Sequence, residues 1–258
     1  MKLPLLLLLT GLAALPALAA IQSRPVIYND GDTRLEGWVV YDDAGSGPRP
    51  GVLVVHQWKG LGDYEKKRAE MLAKLGYVAF CADIYGQGVR AGNPQDASAL
   101  AGKYKADRPL LRRRVAAALQ AMKALPEVDG AKTAAIGYCF GGTTVLELAR
   151  SGADTLGVVS FHGGLGTDLP AKPGLKAKLL VLHGADDPFV PPAEVEAFAQ
   201  EARAAGADWQ FVAYGGAVHS FTDWNAGSDN SKGAAHNEKA DRRSWVKMQE
   251  FFRELFES

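Results

Sequence analysis

Gly137-Tyr138-Cys139-Phe140-Gly141-Gly142 stands between two runs of different character. Before it, Thr133-Ala134-Ala135-Ile136 is apolar and β-like; after it, Val145, Leu146, Leu148 and Ala149 follow a helical pattern. A strand, a sharp turn and a helix form the context of a G-x-S-x-G nucleophile elbow, here with Cys139 in the Ser position. A nucleophile on so tight a turn takes up strained backbone angles, and its neighbours must lack side chains that would strike strand or helix. The helix N-terminus sets about half a positive charge and free N–H groups beside the sulfur, which favours thiolate. The same residues also fit a buried Cys in a glycine-rich turn, and the motif alone does not separate the two.

Outward from the elbow, strand and helix patterns alternate. Val52-Leu53-Val54-Val55 is a continuous apolar run, as in a strand buried on both faces, and Val78 to Ile84, Leu156 to Phe161, Leu179 to Leu182 and Trp209 to Tyr214 are further strands. Helical patterns fall after His56-Gln57-Trp58-Lys59-Gly60, with Leu61, Tyr64, Met71, Leu72 and Leu75 apolar and Gly76 as the stop. Others run over 95–105, 110–125 and 193–204, and at the C-terminus Trp245, Met248, Phe252 and Leu255 form a core stripe. Arg112, Arg113 and Arg114 are expected on a solvated helix face. Val26 to Tyr28 and Leu35 to Tyr41 flank a turn at Asp30-Gly31, an antiparallel hairpin. The expectation is an α/β fold with a mostly parallel central sheet, an N-terminal antiparallel hairpin and helices on both faces. Such sheets bind ligands at the carboxyl ends of their strands.

The chain of 258 residues, 47% apolar, supplies ample core for one domain. Lys+Arg and Asp+Glu are equal at 29, so no bulk charge points to nucleic acid or an anionic membrane. Residues 1–19 have the marks of a cleaved signal peptide: Lys2, apolar runs Leu5 to Leu9 and Leu12 to Leu15, and the A-x-A site Ala17-Leu18-Ala19. No later stretch reaches the ~18 apolar residues of a membrane span. A periplasmic or secreted domain over residues 20–258 is therefore expected, without membrane insertion after cleavage. Cys81 sits in a strand-like run and Cys139 on the elbow, so two free thiols are expected rather than a bridge.

His183-Gly184-Ala185-Asp186-Asp187-Pro188-Phe189-Val190-Pro191 follows one strand, and Ala217-Val218-His219-Ser220-Phe221 follows the last. A nucleophile needs a base within hydrogen-bond reach, and the base needs a carboxylate that fixes its tautomer. Asp187 alone fits a turn or helix cap and His219 a loop histidine. Cys139, Asp187 and His219 together, each after a strand and in that order, form a candidate triad, with Asp186 as a turn residue. His56, His162 and His183 also end strands, but without ligand-like spacing, so no metal is expected.

On the elbow, Asp187 with Phe189-Val190-Pro191, His219-Ser220-Phe221, Asp83-Ile84-Tyr85-Gly86 and Gln57-Trp58-Lys59-Gly60, the mature chain resembles the dienelactone hydrolase family of α/β-hydrolases. The resemblance implies a single α/β-hydrolase domain that cleaves small esters or lactones through an acyl-cysteine, with no metal or organic cofactor. It implies an oxyanion hole made by the backbone N–H of Trp58 and Phe140. Two departures concern the substrate. Gln57 stands where family lactonases usually carry a Glu that contacts the thiol. Gln87 and Asp223 stand where dienelactone-cleaving members carry two arginines for the substrate carboxylate, so no preference for anionic lactones is expected. Gln57, Tyr85 and Arg90 are the expected substrate-binding residues. Only about two dozen residues, Gly86 to Pro109, could cover the site, so little or no lid is expected over a monomer acting on small molecules. A thioesterase or peptidase-type acyl hydrolase is the alternative within enzymes, and a binding protein that retains the fold the alternative outside them.

Overall fold

Val52-Leu53-Val54-Val55 has no polar face, and the computed structural model, which describes residues 20–44 and 47–257, covers it on both sides. Val52 and Val54 enter one core with Leu72, Met248 and Phe252; Leu53 and Val55 enter the other with Leu111, Val115 and Leu148. The two-residue period of a strand thus feeds two layers of helices. The proposed signal segment, residues 1–19, lies outside the described residues.

The elements are β1 (Ile21–Asp30), β2 (Thr33–Asp42), β3 (Arg49–Val55), α1 (Asp63–Ala73), β4 (Val78–Ala82), α2 (Pro94–Ala106), α3 (Arg108–Lys123), β5 (Val128–Tyr138), α4 (Phe140–Arg150), β6 (Gly157–Phe161), β7 (Lys178–Gly184), α5 (Pro192–Ala204), β8 (Trp209–Tyr214) and α6 (Glu238–Phe256). One sheet takes the order β1-β2-β4-β3-β5-β6-β7-β8. β1 and β2 pair antiparallel, β2 meets β4 antiparallel, and from β4 onward every pairing is parallel. α1 and α6 pack on one face, α2 to α5 on the other. The parallel strands consequently release their carboxyl ends along one edge, where residues 56–58, Cys139, Asp187 and His219 emerge.

Three local expectations are corrected. Asp30 pairs with Thr33, so the hairpin turns on Gly31-Asp32, one residue later than expected, with Gly31 at φ +56°. The arginine run is not a solvated face: Arg112 reaches the buried Glu147 (2.8 Å) and Arg114, itself buried, pairs with Asp30 (3.2 Å), leaving Arg113 as the exposed member. These pairs tie α3 to α4 and to the hairpin, and a buried guanidinium needs such a partner. Finally α1 stops at Ala73 and leaves Leu75 exposed, while its inward face carries Glu65 and Arg68 among the apolar residues.

Candidate active site

Cys139 joins β5 to α4 with φ 55° and ψ −113°, a conformation that costs an L-residue about 1–3 kcal/mol and persists where its surroundings hold it. Here the holding is done by glycines. A Cβ on Gly137 would enter the Gly141 carbonyl, one on Gly141 the Val55 carbonyl at the end of β3, and one on Gly142 the Ser160 hydroxyl and the Gly163 backbone. The Cys139 N–H is shared between Phe161 O (3.0 Å) and His162 Nδ1 (3.1 Å). Because His162 Nδ1 accepts, its Nε2–H donates to Thr222 Oγ1 (2.8 Å). Burial, with the His219 charge beside it, keeps His162 well below the ordinary histidine range and so neutral.

His219 Nε2 lies 3.1 Å from Cys139 Sγ, and His219 Nδ1 lies 2.8 Å from Asp187 Oδ2. Asp187 Oδ1 accepts the Phe189 N–H (2.9 Å), whereas Asp186 turns to the Gly216 N–H (3.0 Å) and does not meet the histidine. The backbone of His219 is fixed by Gly233 O and the Ala235 N–H. Burial pushes the Cys139 thiol up, but the His219 charge and hydrogen bond, Lys105 and the Phe140 N–H outweigh it, and the net direction is down. For His219, burial opposes the charged form; the Cys139 thiolate and the Asp187 carboxylate reverse this and push the ring up to about 10. The two shifts share one cause, the attraction between a Cys139 thiolate and a His219 imidazolium.

The loop after β3 is gripped on nearly every peptide. His56 Nδ1 donates to Gln57 O (2.6 Å) and its Nε2 accepts the Ile84 N–H (3.3 Å); burial lowers this ring to about 4, so it stays neutral. Tyr85 donates to Trp58 O (2.9 Å), and Arg90 to Leu61 O and Val89 O. Glu65 accepts the N–H of Gln57 (3.0 Å) and of Gly62 (2.9 Å). The Trp58 N–H has no partner among the described residues.

A cavity of about 410 Å³ opens over the sulfur, lined by Trp58, Lys105, Gly164, Phe189, Val190 and His219 among others. A polar cleft of about 430 Å³ adjoins it through Trp58, Ser220 and Ala234, and contains Gln57, Tyr64 and Asp223. The structure therefore brings together Cys139, Asp187, His219, Trp58 and Phe140. It does not bring Gln57 or Arg90 to the sulfur: Gln57 Nε2 donates to Asp223 (3.2 Å) in the adjoining cleft, and Arg90 turns to loop carbonyls and to the buried Asp83 (3.7 Å). Tyr85 packs beneath the site between His56, Tyr104 and Phe140, with its hydroxyl on the loop. Gln87 turns to Glu36 (2.7 Å). Sequence reasoning missed Lys105, His162 and Glu65. Only Glu65 carried a signal, a Glu three residues after Gly62 at the start of a helix.

Cys81 and Cys139 are both free thiols. No helix among the described residues is long and apolar enough to cross a membrane, and no group of three or more metal-ligating side chains occurs among them.

A model of the dienelactone hydrolase family matches residues 35–256. Among solved structures, the chain is similar to a dienelactone hydrolase-like promiscuous phosphotriesterase from metagenomic libraries. The two are 45% identical, with 92% of this chain and 99% of that one covered and a TM-score of 0.87. An uncharacterized protein of Caenorhabditis elegans is 39% identical over 153 residues, 57% of this chain and 94% of that one. A putative carboxymethylenebutenolidase of Methylorubrum extorquens is 28% identical over 224 residues, 82% of this chain and 74% of that one.

Proposed function

The chain belongs to the dienelactone hydrolase family of carboxylic-ester hydrolases, and from that premise we propose that it is an exported, cysteine-dependent hydrolase of small esters or lactones. The observation that carries the reading is the unbroken line Cys139 Sγ–His219–Asp187 opening on a cavity. In the proposed reaction the Cys139 thiolate attacks the carbonyl carbon, and the C=O electron pair moves onto oxygen. The Phe140 and Trp58 N–H groups receive that oxygen, and one such donor is worth about 10²–10³ in kcat. Collapse expels the alcohol, which takes its proton from the His219 imidazolium. His219 then draws a proton from water, the resulting hydroxide attacks the acyl-cysteine, and the acid leaves as the thiolate is restored. Asp187 holds the histidine in the required tautomer throughout.

The test is hydrolysis of a p-nitrophenyl acetate-type ester beside covalent labelling of Cys139. Cys139→Ala, His219→Ala and Asp187→Asn are expected to lose at least about a hundredfold in kcat/KM with the fold intact, and Asp186→Asn to stay within a few-fold. Full activity of Cys139→Ala would refute the nucleophile. Export is supported by the character of residues 1–19 and is tested by sequencing the N-terminus of the mature protein. The 45% identity to a promiscuous phosphotriesterase favours a second activity, slow turnover of an aryl phosphotriester at the same sulfur.

A further inference from the structure

Glu65 is a carboxylate with almost no exposure, 2%, and among the described residues no cation lies within ion-pair distance of it. Taking such a charge out of water costs several kcal/mol unless something answers it, and an apolar side chain would fill the same place more cheaply. Burial raises the Glu65 carboxyl above its ordinary value, and what opposes this is the loop after β3. One oxygen accepts the Gln57 N–H and the other the Gly62 N–H, so the carboxylate bridges the two ends of residues 57–62. The first turn of α1, in which Glu65 sits, adds the favourable end of a helix dipole.

The loop is held from the other side as well. His56 and the Gly60 N–H fix the Gln57 carbonyl, and Tyr85 fixes the Trp58 carbonyl. A trans peptide points its N–H opposite to its C=O. Once the Gln57 carbonyl is pinned, the Trp58 N–H is aimed, and it is left unpartnered beside the cavity of Cys139. We propose that Glu65 is a positioning residue for the oxyanion hole: its carboxylate, with Tyr85 opposite, sets the loop so that the Trp58 N–H meets the oxyanion formed on attack by Cys139. The inference rests on Cys139 being the nucleophile, as proposed above. It assigns Tyr85 to the loop rather than to the substrate.

Two reactions of the same sulfur separate this role from a general support of the site. Alkylation by iodoacetamide displaces iodide and develops no oxyanion. Trifluoroacetone does develop one: the sulfur forms a C–S bond to the carbonyl carbon and the C=O electron pair moves onto oxygen, balanced by the His219 imidazolium. Glu65→Gln keeps the shape but turns one acceptor into a donor that faces an N–H.

The expected result for Glu65→Gln is a Cys139 alkylation rate within about twofold of wild type at every pH. Trifluoroacetone affinity, read as protection against alkylation, should fall at least about tenfold, and ester kcat should fall by a similar factor with KM little changed. Tyr85→Phe removes the hydroxyl and keeps the ring, and is expected to act in the same direction; should Glu65→Gln fail to fold, it decides the matter. Unchanged ketone affinity would overturn the inference, and so would alkylation and ketone affinity falling together. Wild-type protein alkylated elsewhere than Cys139, or binding no ketone, would sink the nucleophile itself and this inference with it.

Discussion

Gln57 carries no charge, and its amide is committed to Asp223. His219, the Phe140 N–H and Lys105 all pull the Cys139 thiol down against its burial. These directions favour a resting ion pair, with the thiol lowered and His219 pushed up to about 10. Alkylation of Cys139 is accordingly expected to be nearly as fast at about pH 6 as at about pH 8, where a free thiol of pKa about 8.5 would differ many-fold. Gln57→Glu should slow it at the lower pH by returning a negative charge to the loop. A wild-type profile rising through about pH 8 would count against the armed pair. Cys139, Asp187 and His219 were legible because order and strand context both constrain them. The contacts of Arg90 were not legible for a physical reason: a loop arginine has several carbonyls in reach, and its sequence position does not say which it takes.

At the scale of elements, the buried charges on helices carry the lesson. Periodicity located the helices from α1 to α6 well, since apolar residues at helical spacing decide which face is buried. It assigned the arginines of α3 to solvent because charge ordinarily goes there. The exception depends on partners in distant elements: Glu147 on α4 is fully buried, between Arg112 of α3 (2.8 Å) and Arg150 (3.0 Å), and Arg150 continues to Glu201 of α5 (2.7 Å). No local pattern announces a network of charges that spans three helices. Glu147→Ala strips the central charge and leaves two largely buried guanidinium groups short of a partner, which costs about 3–5 kcal/mol. Urea unfolding should show that loss as a lower midpoint with an unchanged slope. A change below about 1 kcal/mol would mean that water reaches the pair and screens it.

For the whole molecule, the mostly parallel sheet follows from alternation of strands and helices, and the site edge follows from the sheet. The electrostatics of the mouth do not, because they depend on which exposed side chains curl inward. Lys105 stands near the end of an ordinary α2, yet it lines the cavity of Cys139, while Asp223 lies in the adjoining cleft. Wild type should still show no strong preference between an anionic ester and its methyl ester, within about threefold. Lys105→Glu should turn that ratio against the anion by at least about fivefold, since a charge change at this range is worth on the order of 1 kcal/mol. An unchanged ratio would place Lys105 outside the substrate's field. The cavity of about 410 Å³ also favours acetate or butyrate esters over long-chain ones.

The three glycines of the elbow abut main chain on three sides: Gly137 the first turn of α4, Gly141 the end of β3, and Gly142 the turn after β6. Main chain cannot step aside as a side chain can, so the centre of this enzyme is closed to gradual change. Adaptation to a new substrate has to proceed at the rim, through Lys105, Phe189 and the small wall residues Ser220 and Ala234 that part the two clefts. A mutational library would show this as a ring of tolerance around an intolerant hub, with new specificities arising by erosion of that wall while the elbow stays unaltered.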